Sequence, residues 1–378
     1  MRVFAGANIK SFFERSPGSE RICDGEIIPA AGVLRELKGN SYLPLQAKPR
    51  YMKSYKAAVL GPIPRDHITT HKGEVIEKYG CATHTAIGLS RLLGDRGTVF
   101  PVSHVRKKDR PGVLEVVAPY SNISQDYITD DADQGDIIQL TFVDQNNRLE
   151  KQTGFMNPIL GEDLKGLMDA DVFVCVPITD YEVPLETLKY IKANSQGLII
   201  FDAHGPTNTA TILGDRLIRF WIDRDLWLPY IDVLKMNLEE SRCCWFEKEY
   251  ELEQLQPFHD VSTDHLDDLA AHVLDRGVKA LIVTLDAGGS AVYFKKGGEV
   301  QKEIVPSVPV ADVVDTTGCG DSFAGGLGYG LLEDPDDYVR AARFANALGA
   351  QRTQGRTFDV FKSLEETREM IRAAYGSD

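Results

Sequence analysis

The stretch Ala311–Leu332, A-D-V-V-D-T-T-G-C-G-D-S-F-A-G-G-L-G-Y-G-L-L, decides how the rest of the chain is read. It opens on a short β-branched run, breaks at Gly318-Cys319-Gly320, and resumes with Phe323, Ala324, Leu327 and Leu331 at near-helical spacing. Asp321 and Ser322 stand where the helix starts, and both residue types favour N-terminal positions. Two glycines let successive main-chain N–H groups point one way, as in an anion-binding nest. A helix N-terminus behind the nest adds about half a positive charge, which makes a phosphate the natural guest. Asp321 at that mouth is placed to accept a proton from a hydroxyl attacking phosphorus. On this stretch alone, a simple helix cap and turn fits the same residues equally well.

The surrounding composition narrows the setting. The chain has 378 residues, enough for one large α/β domain with an appendage or for two domains. Apolar residues at 43% and charged residues at 26% are ordinary for a globular protein. No apolar run reaches the ~18 residues of a membrane span, and M-R-V-F-A-G-A-N-I-K lacks the apolar core of a signal peptide. Cys23, Cys81, Cys175, Cys243, Cys244 and Cys319 form no C-x-x-C spacing or disulfide framework, so a cytoplasmic location is expected. A net charge of −14 speaks against nucleic acid or an anionic membrane as partner. It does not speak against ATP, because phosphate recognition is local and Mg²⁺ brings positive charge of its own.

The string D-T-T-G-C-G-D-S-F-A-G-G resembles the C-terminal signature of the ribokinase-like (PfkB-type) carbohydrate kinases, usually D-T-x-G-A-G-D-x-F. The resemblance implies that Asp321 is the catalytic base and that the main chain of Gly318, Cys319 and Gly320 forms the anion hole. Cysteine for alanine leaves that role intact, because the backbone N–H does the binding. The implied fold is α/β: a three-layer α/β/α sandwich with a mainly parallel central sheet and a small β-sheet lid. The implied activity is ATP- and Mg²⁺-dependent phosphoryl transfer to a hydroxyl of a sugar, polyol or nucleoside. A non-catalytic sugar- or nucleotide-binding protein acting through partners is the alternative.

Other elements extend the resemblance over about residues 57–355. Ala57–Ile68, A-A-V-L-G-P-I-P-R-D-H-I, resembles the first strand of the family, whose closing carboxylate binds substrate hydroxyls; Asp66 matches it. Lys78–Gly94, K-Y-G-C-A-T-H-T-A-I-G-L-S-R-L-L-G, reads as a loop feeding an amphipathic helix closed by Gly94. Gly80 keeps one glycine of the family's first signature, Tyr79 replaces another, and His84 stands where Asn is usual. With Pro64 replacing a second Asn, plain ribose is a doubtful acceptor. Lys235–Glu240, K-M-N-L-E-E, resembles the family's N-x-x-E element: Asn237 serves the nucleotide phosphates and Glu240 reaches Mg²⁺ through water. Thr284 and Gly289 match the strand end along the nucleotide, with Asp286 in place of a usual Gly, and Asn346 matches a helix residue near the adenine. Asp315 and Thr317 match part of a monovalent-cation site, with K⁺ as the candidate ion and the 353–358 loop supplying the rest.

The domain layout expected is an N-terminal extension over 1–54, a kinase domain over 55–360, and a C-terminal helix over 361–378 packed on it. The lid is expected mainly from 61–72 and 98–154. The extension suits an oligomer arm, a substrate cover or a loose leader, and a homodimer is a candidate assembly. From Asp171 onward strands alternate with helical patterns, the signal of a parallel sheet covered on both faces. A Rossmann dehydrogenase is excluded because its G-x-G-x-x-G follows the first strand, and no G-x-x-x-x-G-K-[ST] suggests a P-loop enzyme.

Overall fold

The computed structural model describes residues 54–144, 148–245 and 262–376, so the N-terminal extension lies outside the described residues except for Ser54. The chain enters the core through β1 (Tyr55–Leu60) and leaves it for β2 (Arg65–Thr69) and β3 (Val75–Tyr79). It returns through α1 (Ala82–Leu93) and β4 (Gly97–His104), then passes α2 (Arg110–Val117) and β5 (Ile128–Thr129). The pair β6 (Ile137–Phe142) and β7 (Arg148–Gly154) leads out again. Next come β8 (Val172–Cys175), α3 (Leu185–Asn194), β9 (Leu198–Asp202), the ribbon β10 (Asn208–Ala210) and β11 (Arg216–Ile218), and α4 (Arg224–Trp227). Then follow β12 (Val233–Asn237), α5 (Leu238–Cys243), α6 (Leu266–Leu274), β13 (Ala280–Thr284), β14 (Ser290–Lys296) and β15 (Glu299–Val305). Three helices close the chain: α7 (Cys319–Glu333), α8 (Tyr338–Arg352) and α9 (Leu364–Tyr375).

The large sheet has the order β15-β14-β13-β12-β9-β8-β1-β4-β5. It is parallel from β13 to β5, and β14 and β15 run antiparallel at its edge. Alternation along each strand sends side chains to opposite faces. Val172 and Val174 join the core under α1, α7 and α8, while Phe173 and Cys175 join the core under α3 and α6. Ala280 and Ile282 against Leu281 and Val283 repeat the pattern two strands beyond β9. Both faces are therefore covered, which is why these strands read as continuous apolar runs. Leu234 is fully buried, and truncating such a side chain to Ala costs about 2–5 kcal/mol. Trp221 and Trp227, packed edge to face at 5.7 Å, lie beside Phe201 and fasten the 204–231 segment to the second core.

A second sheet has the order β3-β2-β6-β7 and its own small apolar cluster of Ile68, Ile138 and Leu140. Its membership differs from the reading of the sequence in three ways. The stretch 98–154 divides, because β4 pairs in parallel with β1 and belongs to the large sheet. Strand β3 joins the small sheet from outside the expected 61–72 range. The run Ala57–Ile68 contains two strands, so Asp66 lies inside β2, opposite Lys78, and not at the close of the first strand. Alternating runs show that a stretch pairs as a strand without showing with which neighbour. Helix α1, expected to be amphipathic, is buried on every side except at Arg91, since α7 and the sheet enclose it.

Candidate active site

Strand and helix ends converge at the carboxyl edge of the large sheet. Gly318 is the N-cap of α7, in the left-handed conformation at φ +83°, and no side chain caps the helix. An added Cβ there would lie 2.5 Å from the His84 ring, so glycine is required for both backbone angle and space. Asp321 sits half-buried in the first turn. Its carboxylate accepts a 3.6 Å bond from the Cys81 thiol, and its carbonyl accepts from Thr85 Oγ1 at 2.9 Å. Burial pushes the Asp321 carboxyl above its ordinary value, against the opposing pull of Lys235 and His204. A carboxylate so raised is a stronger proton acceptor than one in water.

Of the three residues assigned to the anion hole, Cys319 is already engaged: its N–H donates to the Thr316 carbonyl at 3.2 Å. The first-turn amides of Gly320 and Asp321 have no acceptor within the helix. Lys235, on β12, brings its ammonium to 3.1 Å from where a Gly320 Cβ would stand. That ammonium is buried and paired with Asp202 Oδ2 at 2.7 Å. Although burial works against charge, Asp202 and Glu240 hold Lys235 in its protonated form.

Gly80 and Asp66, the pair expected to face an acceptor, are in contact: a Cβ on Gly80 would clash with Asp66 Oδ2. His84 is a correction. Its ring is 2% exposed, lies under Gly318 with Phe358 at 4.9 Å, and has no hydrogen-bond partner at either nitrogen. Burial, reinforced by Arg352 and Lys78, keeps it neutral, so His84 is a floor for the glycine loop and not a contact for a substrate hydroxyl.

Asn237 and Glu240, expected to serve the nucleotide and Mg²⁺, form a closed capping box on α5. Glu240 N donates to Asn237 Oδ1 at 2.7 Å, and Asn237 N donates to Glu240 Oε2 at 2.8 Å. Glu240 Oε1 accepts from the Asn237 side chain at 3.0 Å and pairs with His204 Nδ1 at 2.8 Å. Asn237 and Thr284 are neighbours in register across β12 and β13. Gly289 and Asn346 both lie against the Val305–Pro306 main chain. Asn346 is a second correction: its amide donates to the carbonyls of Val305 at 3.1 Å and Pro306 at 3.0 Å. It ties α8 to the end of β15, leaving its donors spent on the protein and not on an adenine. Asp286 is exposed at φ +49°.

Asp315 and Thr317 do not form a cation site in this structure. Asp315 Oδ2 accepts from Lys78 Nζ at 3.1 Å and Arg352 Nη2 at 2.9 Å, and its Oδ1 accepts from the Thr317 amide at 2.9 Å. Two protein cations already hold the carboxylate.

Sequence reasoning missed several charged groups here: Lys78, Asp202, Lys235 and Arg352, together with a buried polar chain. In that chain Arg216 donates to Gln152 Oε1 at 2.9 Å and lies 3.3 Å from His204 Nε2, and Gln152 donates to Asp136 Oδ1 at 2.7 Å. It joins the small sheet to Glu240 through His204. Lys235 and Lys78 stood inside quoted strings, K-M-N-L-E-E and K-Y-G-C-A-T-H, while Asp202 and Arg352 stood in none. Among the described residues no cluster of three or more His, Cys, Asp or Glu is arranged to hold a metal, and no helix is long and apolar enough to cross a membrane.

Residues 199–357 match the model of the pfkB family carbohydrate kinases. A ribokinase of Lactococcus lactis is 27% identical over 223 residues, which cover 57% of this chain and 61% of the relative. The chain thus spans less than two thirds of that relative's length. Among solved structures, the ribokinase of Giardia lamblia superposes with a TM-score of 0.66 at 18% identity, covering 85% of this chain and 99% of that one. A pyrophosphate-dependent kinase of the ribokinase family, complexed with a pyrophosphate analogue and myo-inositol, gives 0.63 at 16% identity, covering 83% and 99%. At those identities the likeness is one of fold. Residues 199–357 thus match the pfkB family, and the fold of the described chain is similar to that of ribokinases.

Proposed function

We propose that the chain is an ATP- and Mg²⁺-dependent kinase that transfers the γ-phosphoryl group to a hydroxyl of a sugar, polyol or nucleoside. The observation that carries this is the uncapped N-terminus of α7, with the half-buried Asp321 in its first turn and the Lys235 ammonium beneath it. Asp321 takes the proton of the attacking hydroxyl. The amides of the Gly318–Gly320 turn, chiefly Gly320 and the Asp321 N–H behind it, meet the charge that spreads over the transferring group. Lys235 adds a fixed positive charge at the same end. Asp66 and Gly80 face each other on the acceptor side and suit a hydroxyl-rich guest.

Mg²⁺ fits the charge balance, because Asp202, Glu240 and Asp321 all act on the single Lys235. That surplus of carboxylate suits a hydrated divalent ion bound mainly through its waters. When bound, the ion neutralises donor phosphate charge. Glu240 is already bonded to its own cap and to His204, so its contribution is a field and not a direct ligand. The small sheet is tied to the segment before α7 by Lys78–Asp315 at 3.1 Å, and its β2–β3 turn to the loop after α8 by Glu74–Arg356 at 3.0 Å. Held in this way it can keep water from competing as acceptor.

The test is product formation from ATP or pyrophosphate with Mg²⁺ over a panel of sugars, polyols and nucleosides, with Asp321→Asn run in parallel. The expected result is turnover with one donor and a narrow set of acceptors, lost in the variant. Undiminished turnover in Asp321→Asn removes Asp321 as base. Binding of donor and acceptor with no product under any pairing would leave only a binding protein.

A further inference from the structure

The family resemblance places a monovalent ion behind the anion hole, and the residues of this chain do not fit one. The Asp315 carboxylate is enclosed by two protein cations, Lys78 Nζ at 3.1 Å and Arg352 Nη2 at 2.9 Å. The Arg352 side chain is fully buried, and the side chains of Lys78 and Asp315 are 13% and 17% exposed. The other terminal nitrogen of Arg352, Nη1, donates to the Gly355 carbonyl. One guanidinium therefore bridges the carboxylate before the glycine turn and a carbonyl of the 353–358 loop. Those are the two segments that the resemblance gives to the ion. They are also zipped by Val314 N donating to Thr353 O at 2.7 Å and Gln354 Nε2 donating to Asp312 O at 2.9 Å. The remaining Asp315 oxygen accepts from the Thr317 amide, one residue before Gly318.

We infer that the Arg352 guanidinium, assisted by Lys78, is a built-in cation that takes the place of a monovalent ion behind the Gly318 turn. The inference rests on the proposed anion-hole reading for its effect on turnover, but not for its effect on folding. An added K⁺ would have to share one carboxylate with two fixed positive charges in a buried setting, where like charges repel strongly. The planar guanidinium also offers donors in two directions at once, so it holds carboxylate and carbonyl in fixed geometry without an ion-binding equilibrium. Its positive charge, with that of Lys78, adds to burial in keeping His84 neutral under Gly318. Lys78 comes from the small sheet, so the same cluster couples the lid to the turn.

The first experiment uses the unaltered chain in KCl, NaCl and choline chloride at equal ionic strength. Melting temperatures should agree within about 1 °C, because an ion that does not bind the folded state cannot shift its stability. Turnover should agree within about twofold for the same reason. A K⁺-specific rise of several degrees, or a K⁺-specific gain of about tenfold or more in turnover, overturns the inference. The second experiment is Arg352→Met, which empties the bridge. Its melting temperature should fall, and K⁺ or guanidinium should recover part of that loss while choline should not. Equal behaviour in all cations would show that Arg352 only packs, and the inference would fail. If Arg352→Met does not fold, Lys78→Met at the less buried position is read in the same way. Because melting is followed without substrate, failure here is distinguishable from failure of the kinase reading.

Discussion

Two helices, α5 and α7, bear motif residues at their N-termini, and they treat those termini in opposite ways. On α5, Asn237 and Glu240 satisfy each other's main-chain donors in a closed capping box. On α7 the N-cap is Gly318, with no side chain to accept the first-turn amides. A helix end without an internal acceptor must find one outside. Both strings resemble phosphate-site elements of the family, yet only the second leaves its helix end without a side-chain cap. The difference teaches that a capping residue closes a site as readily as it marks one.

The largest expected effect lies on the open terminus. Asp321→Asn keeps shape and removes the proposed base, so kcat should fall by about 10²- to 10⁴-fold with the melting temperature nearly unchanged. A loss of stability in place of activity would leave the α7 terminus with a structural role alone. Next is Lys235→Met beneath it, which strands the buried Asp202 carboxylate. Breaking a buried pair from one side costs about 3–5 kcal/mol, readable as a lowered denaturant midpoint. A near-neutral result would mean that Asp202 is relieved by water and that Lys235 is not held as described.

Gly318→Ala should come third, at about 1–3 kcal/mol for a side chain forced to positive φ, with turnover lost as the His84 ring is displaced. On the closed terminus, Asn237→Ala should cost only about 1 kcal/mol for a lost cap. If instead it abolished turnover while leaving stability intact, the contrast between the two helix ends would break. The subtlest expectation concerns pH. Burial raises the Asp321 carboxyl, and the base works only when deprotonated. Turnover should therefore rise with pH through a midpoint above the ordinary aspartate value of about 3.9. This acid limb should be absent from the residual rate of Asp321→Asn, whereas Asn237→Ala should leave it in place.

Much of this was open to a reader of the sequence. The D-T-T-G-C-G-D-S-F string marks its own loop and helix start, because φ > 0 glycine and an acidic first turn are local requirements. Strands β8, β9 and β13 were readable from nearly unbroken apolar runs, since a strand buried on both faces needs no polar alternation. Asn237 and Glu240 were visible as a pair, but their spacing suits a capping box as well as a phosphate site. Asn346 and His84 showed only their identities, and where their polar atoms point depends on chain far away in sequence.

What the sequence determined by itself was therefore local: a glycine turn opening a helix with an acid in its first turn, and an alternation of strands and helices that permits one sheet architecture. Tertiary structure decided everything that depends on charge meeting charge across the chain. Lys78 finds Asp315 and Arg352 finds it from the other side, while Lys235 finds Asp202 and Arg216 reaches His204. The reason is physical: backbone conformation is governed by neighbours a few residues away, whereas the cost of burying a charge is met only by whichever partner the fold brings within hydrogen-bond reach.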